Sequence, residues 1–102
     1  MGLEMRSTCE TCGRPLNIDG AAYICSFECT FCARCVDEVL GNVCPNCGGG
    51  FAPRPIRPAK NWKGENHLGK YPASAKPKHR PVDPADHARL RAALTRTPPE
   101  KR

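Results

Sequence analysis

The sequence predicts a small metal-stabilised α+β domain followed by an extended, basic, Pro-rich tail that carries one helix. Three observations predict it. Eight cysteines form four close pairs, Cys9 with Cys12, Cys25 with Cys29, Cys32 with Cys35 and Cys44 with Cys47, and none follows residue 47. The apolar positions in the same stretch number only about ten (Leu16, Ile18, Tyr23, Ile24, Phe27, Phe31, Val36, Val39, Leu40, Val43), too few to hold a short chain without a covalent or metal staple. Composition and charge then change together. Residues 52–102 hold nine of the eleven prolines and all three histidines. Residues 1–51 carry 3 basic and 6 acidic side chains, net −3, and residues 52–102 carry 13 and 4, net +9. The expected division is a Cys-rich domain over residues 1–50, a basic extended segment over 51–81 and a C-terminal segment over 82–102.

Compartment decides between disulfides and metal. Residues 1–10 lack the apolar stretch of a secretory signal, and Arg6 stands where a myristoylation motif places Ser or Thr. No apolar run approaches the ~18 residues of a membrane span. The expected setting is a reducing cytosol with no membrane partner. There, closely paired thiols point to two bound metal ions, zinc first; disulfides and free thiols are the alternatives.

Cys9-Glu10-Thr11-Cys12-Gly13 has the form of a zinc knuckle. Two residues between thiols let both sulfurs reach one tetrahedral ion at about 2.3 Å, and Gly13 supplies the positive φ of the turn. Asp19-Gly20, between apolar residues 16–18 and 22–24, is a hairpin signal, with an irregular loop as the alternative. Val36, Val39 and Leu40 then fall at i, i+3, i+4 before Gly41, an apolar stripe on a short helix closed by glycine. Cys32 and Cys35 would sit at its start, where the helix dipole favours thiolate. Knuckle, hairpin and a helix with two ligands make the treble-clef arrangement, and Cys44-Pro45-Asn46-Cys47-Gly48 adds a second knuckle.

Residues 9–48 resemble a RING finger in spacing: Phe31 directly precedes Cys32, and Cys44-Pro45-Asn46-Cys47 matches the C-P-x-C ending. Ligand pairs interleave in that family. The resemblance therefore implies one site of Cys9, Cys12, Cys32 and Cys35 and a second of Cys25, Cys29, Cys44 and Cys47. Sequential pairing, with Cys9, Cys12, Cys25 and Cys29 together, is the alternative. The chain also resembles a family of short bacterial proteins, domain of unknown function 1272, through Glu4-Met5-Arg6, the run from Ile24 to Cys32, and Cys44 to Gly49. That resemblance implies a bacterial cytosolic protein and no assigned activity.

Catalysis is not expected. A catalytic zinc keeps an open position, whereas eight cysteines make two closed sites, and no histidine lies in the first half to act as a base. Cys29, Cys32 and Cys35 match the start of a ferredoxin run, but the next cysteine, Cys44, comes too late. A thiol redox switch has no spare resolving cysteine. Ubiquitin-ligase-like activity is disfavoured. Ligases of similar pattern place an apolar residue in the first knuckle and a basic one after the last ligand; here stand Glu10, Thr11 and Gly48.

In the tail, alternating proline and cations after Phe51 favour an extended, semi-rigid segment. Arg54, Arg57, Lys60, Trp62, Lys63, Lys70, Tyr71, Lys76, Lys78 and Arg80 are the candidate partner-binding residues. Cations neutralise phosphates and the two rings stack on unpaired bases. The alternative is a strap in which Trp62, Leu68 and Tyr71 pack back on the domain. Charge favours that too, because eight thiolates with two Zn²⁺ add a formal −4 and take the first half from −3 to about −7.

The C-terminal helix is expected over about 84–96. Asp83 is its N-cap and Pro84 its N1 residue. Asp86 lies early, while Arg89, Arg91 and Arg96 come later, which complements the helix dipole. Leu90, Ala93 and Leu94 share a face, and Pro98-Pro99 ends the helix. His87 is read as a surface residue, because the thiol sites are full. The functional expectation is a non-enzymatic zinc-binding interaction or adaptor module with an unknown protein partner. The alternative is a nucleic-acid binder acting through the tail.

Overall fold

The computed structural model describes residues 3–17, 21–74 and 79–102. Ile18, Asp19 and Gly20, with the turn expected there, lie outside the described residues, as do Lys76 and Lys78.

Strand β1 (Ala22–Ile24) pairs antiparallel with β2 (Thr30–Cys32), Tyr23 opposite Phe31. On its other edge it pairs with β3 (Ala52–Pro53), Tyr23 opposite Pro53. The result is a small α+β fold: a three-stranded antiparallel sheet in the order β2-β1-β3 and, among the described residues, one α-helix, α1 (Pro84–Leu94). The hairpin therefore closes around Cys25 and Cys29. Cys25 N–H donates to Cys29 O (3.1 Å), and Glu28, at φ 65°, donates back to Cys25 O (3.0 Å). Strand β3 comes from the start of the basic segment; its proline is tolerated because it lies on a sheet edge.

The core is thin. Phe31, Leu40 and Val43 are buried among the cysteines, and Phe51 meets Phe31 edge to face at 5.2 Å and 71°. Leu16, Val36 and Val82 pack against this cluster half-buried. Two expected core positions are not core. Phe27 is 72% exposed, because it rides the turn whose flanking cysteines point inward. Val39 is also exposed. The helical turn Cys35–Leu40 is wound wider than an α-helix, with Gly41 and Asn42 N–H both reaching Val36 O. Wider winding keeps Val36 and Leu40 on one face and turns Val39 away. Gly41, at φ 59°, takes the left-handed conformation that ends it. Cys32 lies at the end of β2, so only Cys35 belongs to the helical turn.

The tail returns to the domain, but not through its rings. Trp62 is 74% exposed and Tyr71 is exposed too. What docks instead is backbone and guanidinium. Ser74 N–H donates to Met5 O (2.8 Å) and Arg80 N–H to Glu10 O (2.7 Å). Buried Arg54 donates to Arg6 O (2.7 Å). Loops leave carbonyls without ladder partners, and a guanidinium with five donors satisfies several of them at once.

Helix α1 starts as its cap predicts, with Asp83 Oδ1 accepting from Ala85 N–H (2.9 Å), but it ends at Leu94, before Arg96 and Pro98. His87 is only 4% exposed, with Nε2 3.0 Å from Leu40 O, which corrects the surface reading. The docking face consists of His87, Leu90, Arg91 and Leu94, spaced at i, i+3, i+4 and i+7, while Ala93 faces water. Arg102 then donates to Asn42 O (2.8 Å), Gly48 O (3.1 Å), Thr97 O (3.0 Å) and Leu94 O (3.3 Å), closing the C-terminal segment over the second knuckle.

Candidate metal centre

The two knuckles are built alike. In the first, Cys9 N–H donates to Arg14 O (2.9 Å) and Gly13 N–H to Cys9 O (2.9 Å); in the second, Cys44 N–H donates to Gly49 O (2.8 Å) and Gly48 N–H to Cys44 O (2.8 Å). Gly13 and Gly48 sit at φ 73° and 78°, where a side chain would be strained. Each turn aims backbone donors at its first sulfur: Thr11 and Cys12 N–H at Cys9, Asn46 and Cys47 N–H at Cys44. Phe27 N–H points to Cys25 Sγ (3.3 Å) and Gly49 N–H to Cys47 Sγ (3.4 Å). Such donors favour the thiolate form that a metal requires.

The sheet and the helical turn then bring the pairs together across the sequence. The sulfurs of Cys9, Cys12, Cys32 and Cys35 all lie within 4.8 Å of one another. Cys12 Sγ and Cys32 Sγ are 3.8 Å apart, and the edge of a tetrahedron with 2.3 Å zinc–sulfur bonds is also about 3.8 Å. The sulfurs of Cys25, Cys44 and Cys47 form the second group. Cys29 stands beside it, with Asn46 Nδ2 donating to its sulfur (3.4 Å).

Burial pushes the Cys9, Cys29, Cys35 and Cys44 thiols above their ordinary range. Burial acts the same way on Cys12, but hydrogen bonds from the Arg14 backbone and from neighbouring thiols outweigh it and bring that group down. Without a cation, gathered and buried thiols resist ionising; a metal repays that cost and displaces the protons.

One residue of the first knuckle has a structural role that the spacing does not reveal. Glu10 is 1% exposed. Its Oε2 accepts from Thr30 N–H (2.7 Å) and pairs with the Arg6 guanidinium, while its own N–H donates to Thr30 O (3.0 Å). It thus ties the knuckle to β2. Arg6 also pairs with Glu4 (3.2 Å). Burial works against the Arg6 charge, but Glu10 and then Glu4 more than offset it and raise its pKa. A faint signal exists in the sequence, opposite charges four residues apart at positions 6 and 10, but outside a helix that spacing predicts no contact.

The tail candidates divide. Arg54 is buried and Arg57 half-buried, and both donate to backbone carbonyls. Lys60, Trp62, Lys63, Tyr71 and Arg80 are exposed, and Lys70 pairs with Glu65 (3.1 Å) beside the Tyr71 ring. No helix among the described residues is long and apolar enough to cross a membrane.

An uncharacterized protein of Rhizobium meliloti (strain 1021) is 53% identical over 73 residues, which is 71% of this chain and 80% of that protein. No solved structure matches the chain significantly. The family model described as Protein of unknown function (DUF1272) matches residues 2–57, over half the chain and all eight cysteines. With a match of that extent and a relative that similar, the chain belongs to the DUF1272 family.

Proposed function

We propose that the protein is a non-enzymatic interaction module of the bacterial cytosol, built on two structural zinc ions in a RING-like, treble-clef arrangement. Cys9, Cys12, Cys32 and Cys35 hold one ion; Cys25, Cys29, Cys44 and Cys47 hold the other, with Cys29 turning inward from Asn46. The observation that carries this reading is the convergence of the Cys9, Cys12, Cys32 and Cys35 sulfurs on one point and of the Cys25, Cys44 and Cys47 sulfurs on another, with Cys29 beside the second. Bound zinc supplies a tetrahedral cross-link and no reaction, because four thiolates leave it no open position. Ubiquitin-ligase-like transfer has little support, since the first knuckle carries a buried carboxylate, Glu10, where such a groove needs apolar surface.

Metal analysis with native mass spectrometry is expected to give two zinc ions per chain and a colourless protein. Stripping them with a chelator is expected to collapse the dispersed amide NMR spectrum of residues 1–50. Iron in stoichiometric amount, or a native spectrum without metal, overturns the zinc assignment.

A second reading, nucleic-acid binding, is favoured by exposed Trp62 and by Lys60 and Lys63, which have no carboxylate partner among the described residues. The module reading expects labelled single-stranded RNA and duplex DNA to be released as salt rises to physiological strength. Tight RNA binding that persists there and is lost in Trp62→Ala transfers the function to the tail.

A further inference from the structure

The returning tail leaves one apolar cleft that the metal centre does not use. It measures about 400 Å³ and contains no cysteine in its lining. Leu3, Met5, Pro55, Ile56, Pro58 and Tyr71 supply its apolar walls, and Asn66 adds an amide. Arg57 fixes these walls: its guanidinium donates to both Leu3 O and Tyr71 O. Leu68 N–H holds Pro58 O (2.9 Å) and Ser74 N–H holds Met5 O (2.8 Å). Prolines restrict the backbone further. The cleft is therefore preformed, and a ligand would meet little ordering cost.

Its chemistry is selective. Ile56 is 60% exposed, although its neighbours are held in place, so a bulky apolar group is left in water. Arg57 is the one charged residue in the lining, and no carboxylate pairs with it among the described residues. Lys60 and Lys63, two and five residues after Pro58 in the sequence, also lack such partners among the described residues. The field selects an anion and the walls select an aliphatic or aromatic side chain. Nucleic acid fits poorly, because the walls offer mainly aliphatic groups and prolines, with Tyr71 the one aromatic ring in the lining, where bases need stacking platforms. The family model covers Leu3, Met5, Pro55, Ile56 and Arg57 of this lining, while Pro58, Asn66 and Tyr71 lie outside it, as Trp62 does.

We infer that this cleft is the docking groove for an acidic peptide segment of a partner protein, seated by one bulky apolar side chain with an Asp or Glu beside it against Arg57. This rests on the interaction-module reading and supplies the partner's chemistry. The test pans a phage library of short random peptides against the zinc-loaded full chain, then measures the affinity of enriched peptides for the wild type and Ile56→Asp. Ile56 is exposed, so the variant is expected to keep two zinc ions and its melting temperature. Enriched peptides are expected to combine a bulky apolar residue with a carboxylate and to bind Ile56→Asp at least about tenfold more weakly. Enrichment of basic or purely polar peptides, unchanged affinity in Ile56→Asp, or no enrichment while labelled oligo-U binds would each overturn the inference. So would a dimer that Ile56→Asp dissolves, since a second copy would then fill the groove. Loss of the two-zinc count in the wild type would instead sink the module reading itself, which keeps the two failures apart.

Discussion

Changing Cys32 to serine is expected to remove zinc from the first cluster and abolish cooperative unfolding of the Cys-rich half. Cys32 is buried at the end of β2, and its sulfur lies 3.8 Å from Cys12 Sγ. A structural zinc site contributes apparent binding free energies of about 10–16 kcal/mol, which is folding free energy when no preformed site exists in the unfolded chain. A whole domain is stable by only about 5–15 kcal/mol. With a core of Phe31, Leu40 and Val43, this one has little else to draw on. Serine offers a poor ligand and leaves the buried Cys9 and Cys35 thiols, with exposed Cys12, without the cation that would make their gathering favourable.

The same chemistry distinguishes the two ways of pairing the cysteines. Cobalt titration reads the number of thiolate sites by their absorption. If the converging sulfurs share an ion, the double variant Cys12→Ser/Cys32→Ser damages one site, and Cys12→Ser/Cys25→Ser damages both. The first is expected to retain at least as much cobalt as the second. The reverse order, one site surviving in Cys12→Ser/Cys25→Ser and none in Cys12→Ser/Cys32→Ser, would establish sequential pairing.

How much of this was readable in the chain depends on the range over which each signal acts. Knuckles are local: two thiols, two intervening residues and a glycine at positive φ determine one another, so both turns were visible. The start of α1 was visible for the same reason, since Asp83 and Pro84 act on the first turn alone. Its inward face was less so. Leu90 and Leu94 marked part of it, but His87 and Arg91 complete it, because the surface they meet is a set of carbonyls and not an apolar patch. Phe27 and Trp62 failed in the opposite sense. Hydrophobicity suggested burial, but Phe27 rides a turn set by its flanking cysteines and Trp62 lies on a strap that docks through backbone. The Asp19-Gly20 signal lies outside the described residues, and the hairpin that is described closes around Cys25 and Cys29, where no Asn-Gly or Asp-Gly pair marks it.

Glu10 shows most clearly what spacing hides, and Glu10→Ala is expected to be the most destabilising change outside the cysteines. It would leave the Arg6 guanidinium buried without its main partner and Thr30 N–H with no acceptor. Breaking one side of a buried ion pair costs about 3–5 kcal/mol, because the remaining charge stays desolvated. Glu4, half-exposed and 3.2 Å from Arg6, offsets part of that, so the lower end of the range applies. The measurement is urea unfolding at saturating zinc, where metal linkage is constant. Removing both charges separates a structural pair from a merely tolerated one. Arg6→Met/Glu10→Leu keeps the volume and leaves no unpaired charge, so it is expected to recover most of the loss. A loss below about 1 kcal/mol in Glu10→Ala would mean that water reaches the pair and that the knuckle is not tied to β2 through it. Full recovery in the double variant, with two zinc ions retained, would show that the carboxylate serves the fold. The first knuckle would then be a sealed corner of the domain, and partners would have to dock elsewhere.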